Sequence, residues 1–258
     1  MTRLHFRLHE LRQFTGGILV LPATPETIAG FVDASLSAPE ALSTIGNVMP
    51  APPMPFLPPE VHGRLVILGM LAYAGDDESA RRALAPFRSL ATPLADMVAP
   101  MPYARMYPPE DPNYRPTAVS RTMFLDGFDE RRAEMVVEWL SRSDAAMRVA
   151  QLRVLGGAAA RVASDATAYA HRSKAMLANV AAFYQVDADR EVRRTWVSGF
   201  ARALQPNDDA AYVGFLTDDG QARIRGAYPG ATWDRLRRIK SEYDPENIFR
   251  LNQNIPPM

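Results

Sequence analysis

The chain contains 258 residues, of which 47% are apolar, so it is long enough to bury a large core. Its 29 basic residues equal its 29 acidic residues, and this balance argues against nucleic acid or an anionic membrane surface as a partner. The sequence has no cysteine, which excludes disulfides, thiolate metal sites and a cysteine nucleophile.

The chain shows neither a membrane span nor a leader peptide. Its most apolar stretch, Leu65 to Ala74, is much shorter than the roughly 20 residues that cross a bilayer. Residues 1–4 do not lead into the apolar centre of a signal peptide. We therefore expect a cytoplasmic protein.

The N-terminal region predicts two strands followed by a helix. Leu4, Phe6 and Leu8 alternate with basic residues, which is the period-two pattern of a half-buried strand. A second strand is predicted over residues 16–22 as its hairpin partner, and a helix over residues 25–36. Six prolines between residues 49 and 59 then predict an extended loop, because proline donates no backbone hydrogen bond.

Strands and helices continue to alternate in the middle of the chain. Strands are predicted over residues 65–73, 119–125 and 147–155. Helices are predicted after residue 75 and over residues 129–142 and 189–204. Pro86 should kink or divide the first of these helices. No regular series of βαβ units appears. We therefore predict an α+β fold, in which an antiparallel sheet is covered on one face by helices and is followed by a C-terminal strand, helix and tail.

A histidine and a tyrosine close to residue 170 form the first candidate site. Tyr169 and His171 occur in the phrase Ala168-Tyr169-Ala170-His171-Arg172. His171 is equally compatible with a hydrogen-bonded core histidine and with a ligand contact. The other histidines lack a pattern of metal ligands, so no metal site is expected.

The C-terminal 50 residues or so contain the second group of candidates. A strand is predicted over residues 211–216, which would place Tyr212 and Gly214 on the same face. A helix capped by Thr232 and ended by Pro245 follows. Beyond that helix, neutral amides alternate with apolar side chains, and the amides are Asn247, Asn252, Gln253 and Asn254.

This C-terminal region resembles the berberine-bridge-enzyme-like flavoprotein oxidases, within the vanillyl-alcohol-oxidase type of FAD enzymes. The resemblance is carried by Tyr243-Asp244-Pro245, Asn247-Ile248-Phe249-Arg250 and Asn252-Gln253-Asn254-Ile255, which follow one another closely. A second likeness is the family's Tyr-x-Asn phrase, which Tyr212 matches and from which Gly214 departs by standing where asparagine is usual. The alternative interpretation is a surface helix with a polar tail, but such tails seldom contain so many apolar residues.

The resemblance implies an FAD-dependent oxidase that transfers hydride from an alcohol, a sugar or a related small substrate to flavin, with oxygen as the electron acceptor. It implies a catalytic and cofactor-binding role for Tyr212 and cofactor contacts for Gly214, Asn252 and Asn254. It also implies substrate contacts for Tyr169 and His171, because their phrase is similar to an aromatic-x-His-Arg phrase that lies on a strand near the substrate in the family. Tyr212 is alternatively a purely structural tyrosine. The resemblance also divides the chain into a substrate-binding domain, residues 1–208, and a berberine-bridge-like segment, residues 209–258.

The family's N-terminal FAD-binding domain has no counterpart in this sequence, and no cysteine is present to form a cysteinyl-flavin bond. The resemblance therefore leaves the activity of this chain open. One possibility is an oxidase or its substrate-domain fragment. The alternative is a non-catalytic fragment or subunit that binds substrate or pairs with a separately encoded FAD-binding domain.

Overall fold

The computed structural model describes residues 3–8, 10–107, 113, 115–206, 210–216 and 220–258. The strands in these ranges are β1 Phe14–Pro22, β2 Leu42–Pro50, β3 Leu65–Ala74, β4 Ala95–Asp96, β5 Ala99–Pro100, β6 Thr117–Leu125, β7 Arg148–Val154 and β8 Met176–Tyr184. The helices are α1 Pro25–Leu36, α2 Asp77–Arg88, α3 Glu130–Arg142, α4 Gly157–Ala160, α5 Arg190–Leu204, α6 Gln221–Ala227 and α7 Ala231–Tyr243. Short 3-10 turns occupy Pro59–Val61, Tyr103–Met106, Asp187–Asp189 and Val213–Phe215.

All eight strands form one antiparallel sheet. Seven of them follow the order β4-β1-β3-β2-β7-β8-β6, and β5 pairs with β1 next to β4. Every pair in the sheet is antiparallel, from β1 with β3 to β6 with β8. The predicted α+β class with an antiparallel sheet is confirmed.

The main core lies between one face of the sheet and the long helices. Leu19 and Leu71 of the sheet pack with Phe31 of α1 and Phe87 of α2, while Phe200 of α5 closes the other half of this layer. Burial of such side chains contributes about 1.5 to 3 kcal/mol each. The helices therefore cover a single face, as predicted, and the opposite face is left for other segments.

The proline-rich loop covers one end of that opposite face. Val20 and Val66 project from the sheet into a smaller cluster with Leu57, which lies within the proline-rich loop, and Val61, which follows it. The predicted extended loop is confirmed, although β2 continues as far as Pro50 before the loop begins.

Local capping explains several helix starts. The side chain of Asp76 accepts a hydrogen bond from the backbone N–H of Ser79 at 2.8 Å, and Asp129 caps α3 in the same way. Helix α2 continues through Pro86 to Arg88, so the division predicted there does not occur. Helix α7 begins after Gly230, and the prediction that Thr232 caps it is wrong.

The N-terminal strand predicted over Leu4, Phe6 and Leu8 is wrong. Residues 3–8 belong to no strand, and these three apolar side chains are exposed. The expected hairpin partner, β1, already pairs with β3 on one side and with β4 and β5 on the other, so both of its edges are occupied. Alternating polarity alone does not form a strand when no free edge is available to pair with it.

A third apolar cluster belongs to the C-terminal region. Ala211, Leu216, Ile224 and Trp233 pack together with Ile255 against their edge. Within the described ranges, no helix is long and apolar enough to cross a membrane.

Candidate functional site

Tyr212 lies in a short turn and not in a strand. The backbone from Val213 to Phe215 forms one turn of 3-10 helix, so the prediction that Tyr212 and Gly214 share one face of a strand is wrong. The apolar residues on either side, Ala211 and Leu216, pack with α6 and α7, which explains why this segment does not add to the sheet. A side chain at Gly214 would place its Cβ only 3.0 Å from the Tyr212 ring, so glycine allows this ring to fold against the turn.

Tyr212 is the outer member of an aromatic cluster. Its ring lies edge-on to that of Tyr169, with centroids 5.9 Å apart, and 5.4 Å from the ring of Phe215. Tyr169 in turn lies 6.5 Å from the His171 ring, and His171 packs on Phe124 at 4.7 Å. The structure thus brings Tyr169, His171 and Tyr212 together, as a single site requires.

His171 is held firmly at the base of this cluster. It is only 8% exposed, and its Nε2 donates to the carbonyl oxygen of Gly226 at 2.9 Å. The prediction that Tyr169 and His171 lie on a strand is wrong, because β8 begins later, at Met176. A histidine already bonded to backbone through one ring nitrogen is well suited to support neighbouring rings.

Burial shifts the ionisation of two phenols in this region. It raises the pKa of Tyr169, and the charge of Arg172, whose guanidinium lies 5.3 Å from the Tyr169 ring, partly opposes that rise. Burial also raises the pKa of Tyr228, to which the nearby Tyr212 phenol contributes. Both groups therefore favour the neutral phenol.

A row of polar side chains crosses the sheet on the face opposite the helices. Asn47 of β2 pairs in register with Gln151 of β7, Gln151 with Asn179 of β8, and Asn179 with Thr122 of β6. The Gln151 amide donates to Asn47 Oδ1 at 2.7 Å, and Asn47 donates to the carbonyl of Leu68. Four adjacent strands therefore present hydrogen-bonding groups in one line.

Some groups of this polar row have no hydrogen-bond partner among the described residues. Thr122 Oγ1 and Asn179 Oδ1 are buried without a hydrogen bond to any described residue, and so is Nε of Arg153, two residues beyond Gln151 on the same face. Buried polar groups are rarely left in this state, because each costs about 1 to 3 kcal/mol. The Arg153 guanidinium lies 5.0 Å from the Phe215 ring, which joins the row to the aromatic cluster.

The C-terminal tail is organised by Asp244. Its Oδ1 accepts from the N–H of Ile248 at 2.8 Å, its Oδ2 accepts from the N–H of Phe249 at 3.0 Å, and Lys240 donates to it as well. Lys240, followed by these two amides, lowers the pKa of the Asp244 carboxyl. Asn247 takes the left-handed conformation, with φ of 52°, that closes this turn.

Beyond this turn, the tail returns to the Tyr212 segment. Gln253 donates to the carbonyl of Leu216 at 2.7 Å, which places the tail amides beside the turn that contains Gly214. Asn252 is exposed with φ of 58°, and the Oδ1 of Asn254 is buried without a partner among the described residues. Nearby apolar side chains are far more exposed, with Phe249 at 82% and Leu251 at 84%.

Sequence reasoning did not identify the polar row, Arg153 or Phe124 as parts of the site. The signal for β7 was present, because Gln151 and Arg153 alternate with the buried Ala150 and Leu152. The strands β2 and β8 were not predicted, so Asn47 and Asn179 had no assigned position. Among the described residues, no group of three or more His, Asp or Glu side chains forms a metal site.

Comparison with known proteins identifies the C-terminal segment. Residues 211–256 match the family model described as Berberine and berberine like, a range that includes Tyr212, Gly214, Asn252 and Asn254. The uncharacterized FAD-linked oxidoreductase YgaK of Bacillus subtilis is 28% identical over 207 residues, which cover 79% of this chain and 45% of YgaK. The resemblance read from the C-terminal signature is confirmed.

Solved structures share the fold at low sequence identity. Physcomitrella patens BBE-like 1 has a TM-score of 0.79 at 16% identity, and the match covers 98% of this chain and 56% of that one. A xylooligosaccharide oxidase from Myceliophthora thermophila, in complex with xylobiose, has a TM-score of 0.73 at 19% identity, covering 95% of this chain and 56% of the oxidase. The chain thus spans about half the length of these relatives.

Proposed function

We propose that this berberine-like chain is the substrate-binding half of an FAD-linked oxidase, which oxidises an alcohol, a sugar or a related small organic substrate. The observation that carries the proposal is the position of Tyr212, 39% exposed at the rim of an aromatic cluster and within the matched segment. Phe124 and Phe215 connect that cluster to the polar face of the sheet. The chain therefore places the Tyr212 phenol, the polar side chains of the sheet and a cluster of aromatic rings close to one another.

In the proposed reaction, the deprotonated phenolate form of Tyr212 accepts the proton of the substrate hydroxyl at its oxygen and becomes the neutral phenol. A positioned proton acceptor of this kind contributes about 100-fold to 10,000-fold to a rate. FAD, when bound, supplies the acceptor for the two electrons that leave the substrate, and oxygen is the proposed final acceptor. Tyr169 and His171 hold the Tyr212 ring and shape the space in which the substrate lies.

The tail amides fit a contact with the cofactor. Asn254 Oδ1 is a buried acceptor without a protein partner in the described chain, and Asn252 projects from an exposed left-handed turn. Such amides suit the neutral donors and acceptors of a flavin ring. We assign Asn252 and Asn254, with Tyr212 and the close approach permitted by Gly214, to the cofactor side of the site.

An FAD-binding domain is proposed to dock on the exposed apolar side chains of the tail. Phe249 and Leu251 project from the turn fixed by Asp244, and Ile248, which precedes them, is also exposed. Apolar groups held in this way on an ordered turn indicate a surface that another domain covers. The docking domain is part of the same protein or a separate one, and residues 209–258 are the segment that receives it.

A second candidate function is a non-catalytic subunit that binds substrate or pairs with an FAD-binding domain. The observation that favours it is Gly214, which has no side chain at the position where the family usually has asparagine. The site then lacks one amide contact beside Tyr212. Residues 1–208 would still bind substrate through the sheet.

Co-expression with the FAD-binding half of YgaK tests the proposal. We expect a stable complex that retains flavin and forms hydrogen peroxide from at least one member of a panel of alcohols, monosaccharides and oligosaccharides. A complex that retains flavin, but whose flavin no substrate bleaches, supports the non-catalytic alternative. A complex without flavin contradicts the cofactor assignment.

A further inference from the structure

We propose that Arg153 is a specificity-determining residue that binds a carboxylate on the substrate. The inference rests on the proposed function of the same site and narrows its substrate class to hydroxylated carboxylic acids, such as a sugar acid. It is based on the surroundings of this one side chain, which differ from those of Arg148 and Arg193.

Arg153 lies on an otherwise uncharged part of the sheet. It is a β7 residue on the face opposite the helices, and its cross-strand neighbours are Ile45 of β2 and Leu177 of β8, both apolar. The Phe215 ring covers the guanidinium at 5.0 Å from its centroid. The cation therefore stands among apolar neighbours, two residues along the same strand from Gln151.

No anion compensates this charge in the part of the chain that the structure describes. Arg153 takes part in none of the described ion pairs, and its Nε is buried without a hydrogen bond. Burial alone lowers the pKa of Arg153, with no opposing contribution from a neighbouring carboxylate. Arg153 is partly buried, and withdrawing a charge from water without a compensating anion is unfavourable, so such a group is usually kept for a ligand or a partner.

Two other arginines, Arg148 and Arg193, have oxygen acceptors within the protein and therefore a structural role. Arg148, on the same strand, donates to the carbonyls of Leu140 and Ala145 at 2.6 and 2.7 Å. Arg193 pairs with Asp144. The Nε of Arg193 is also buried without a hydrogen bond, but both of these guanidinium groups have an oxygen acceptor in the protein. Among the described residues, Arg153 has only the face of an aromatic ring.

The shape and position of Arg153 favour a carboxylate on a hydroxylated substrate. A planar guanidinium matches the two oxygens of a carboxylate better than it matches a neutral hydroxyl. The amides of Gln151 and Asn179 lie on the same face and can bind hydroxyl groups beside the carboxylate. Phe215, which touches both Arg153 and Tyr212, brings this anchor next to the proposed proton acceptor.

Titration of the 258-residue chain with D-glucuronate and D-glucose tests the proposal, because these two sugars differ by the carboxylate. Proton–nitrogen NMR spectra follow the Nε–H signal of Arg153, which the Arg153→Gln variant identifies by removing it. We expect glucuronate to shift this signal and to bind about tenfold more tightly than glucose, the size of one charge-assisted contact. Arg153→Gln should abolish the preference, and Arg153→Lys should retain a weaker one.

Arg121→Gln is the matched control, since it removes one positive charge from the opposite face of the same sheet, on strand β6, and should leave the preference unchanged. Melting temperatures of all variants show whether the fold is intact, and if the Gln variant unfolds, Arg153→Lys provides the comparison. Equal binding of the two sugars, or a preference that survives in Arg153→Gln, overturns the proposal. These measurements involve no flavin, so their failure is separate from failure of the oxidase function.

Discussion

The ring of Tyr212 stands edge-on to the ring of Tyr169, with centroids 5.9 Å apart and planes at 89°. Pairs of this geometry contribute about 0.5 to 1.5 kcal/mol beyond the area they bury. Because Tyr169 is itself partly buried above His171, the contact fixes the ring of a tyrosine that is otherwise half exposed. The role of the Tyr212 hydroxyl can therefore be tested separately from that of its ring.

Replacing Tyr212 with Phe keeps both ring contacts and removes only the hydroxyl. We expect the thermal stability to change little and the rate of flavin reduction in the complex with an FAD-binding domain to fall about 100-fold or more, the scale of a lost proton acceptor. Rapid mixing with substrate in the absence of oxygen measures this step. Tyr228→Phe removes a neighbouring phenol and is the control; an unchanged rate in Tyr212→Phe would make Tyr212 a structural residue.

His171 provides a second prediction, which distinguishes a structural role in the core from a contact with the ligand. His171→Ala removes the hydrogen bond to Gly226 and the contact with Phe124, and it should lower the free energy of unfolding by about 2 kcal/mol or more. Chemical denaturation measures the loss, and the exposed His5→Ala is its control. If stability is unchanged while the substrate KM rises tenfold, His171 is primarily a ligand contact.

The sequence predicted the sheet architecture well where the apolar pattern was strong. Helix α1 and the strand that became β3 were predicted almost to the residue, because a capping threonine or a long apolar run marks them. Strand β2 was missed, since Gly46, Asn47 and Pro50 weaken its pattern. The polar row depends on register between four strands, and register between distant segments is a property of tertiary packing.

The candidate site was predicted in its residues more than in its geometry. Tyr212 and Gly214 were expected two apart on a strand, but the apolar cluster around Trp233 draws their segment into a 3-10 turn. Arg153 was not recognised, because an arginine that alternates with apolar residues looks the same in sequence whether or not it has a counter-ion. Its lack of a partner in the described chain becomes visible only when the cross-strand neighbours are known.

The tail amides give the third prediction, for cofactor retention. Asn252 has a positive φ, so Asn252→Gly removes its amide without the backbone strain that alanine would introduce. Combined with Asn254→Ala, this change should weaken flavin retention in the complex with an FAD-binding domain, as measured by flavin released during gel filtration. Asn252→Gly alone tests the backbone effect, and full retention in the double variant would remove both residues from the cofactor site.

The last prediction concerns the turn that presents the exposed apolar side chains of the tail. Asp244 has a pKa lowered by Lys240 and by the amides of Ile248 and Phe249, so it binds its proton more weakly when folded than when unfolded. Its contribution to stability is therefore present above the ordinary aspartate pKa of about 3.9 and is lost as the pH falls through the lower folded value.

Asp244→Asn removes the charge and one of the two acceptor oxygens, so it should increase hydrogen exchange at the Ile248 and Phe249 amides at neutral pH. It should also lower the affinity for an FAD-binding domain, because Phe249 and Leu251 are then no longer held in place to dock.

The exposed Glu246→Gln, in the same turn, is the control for the loss of one negative charge. Thermal unfolding of both variants from pH 7 downward should show a difference that is largest at neutral pH and disappears only once the pH has fallen below the lowered pKa of the folded wild-type carboxyl, which is then also protonated. A difference that does not depend on pH would mean that Asp244 acts through the shape of its side chain, and its charge would then have no part in fixing the turn.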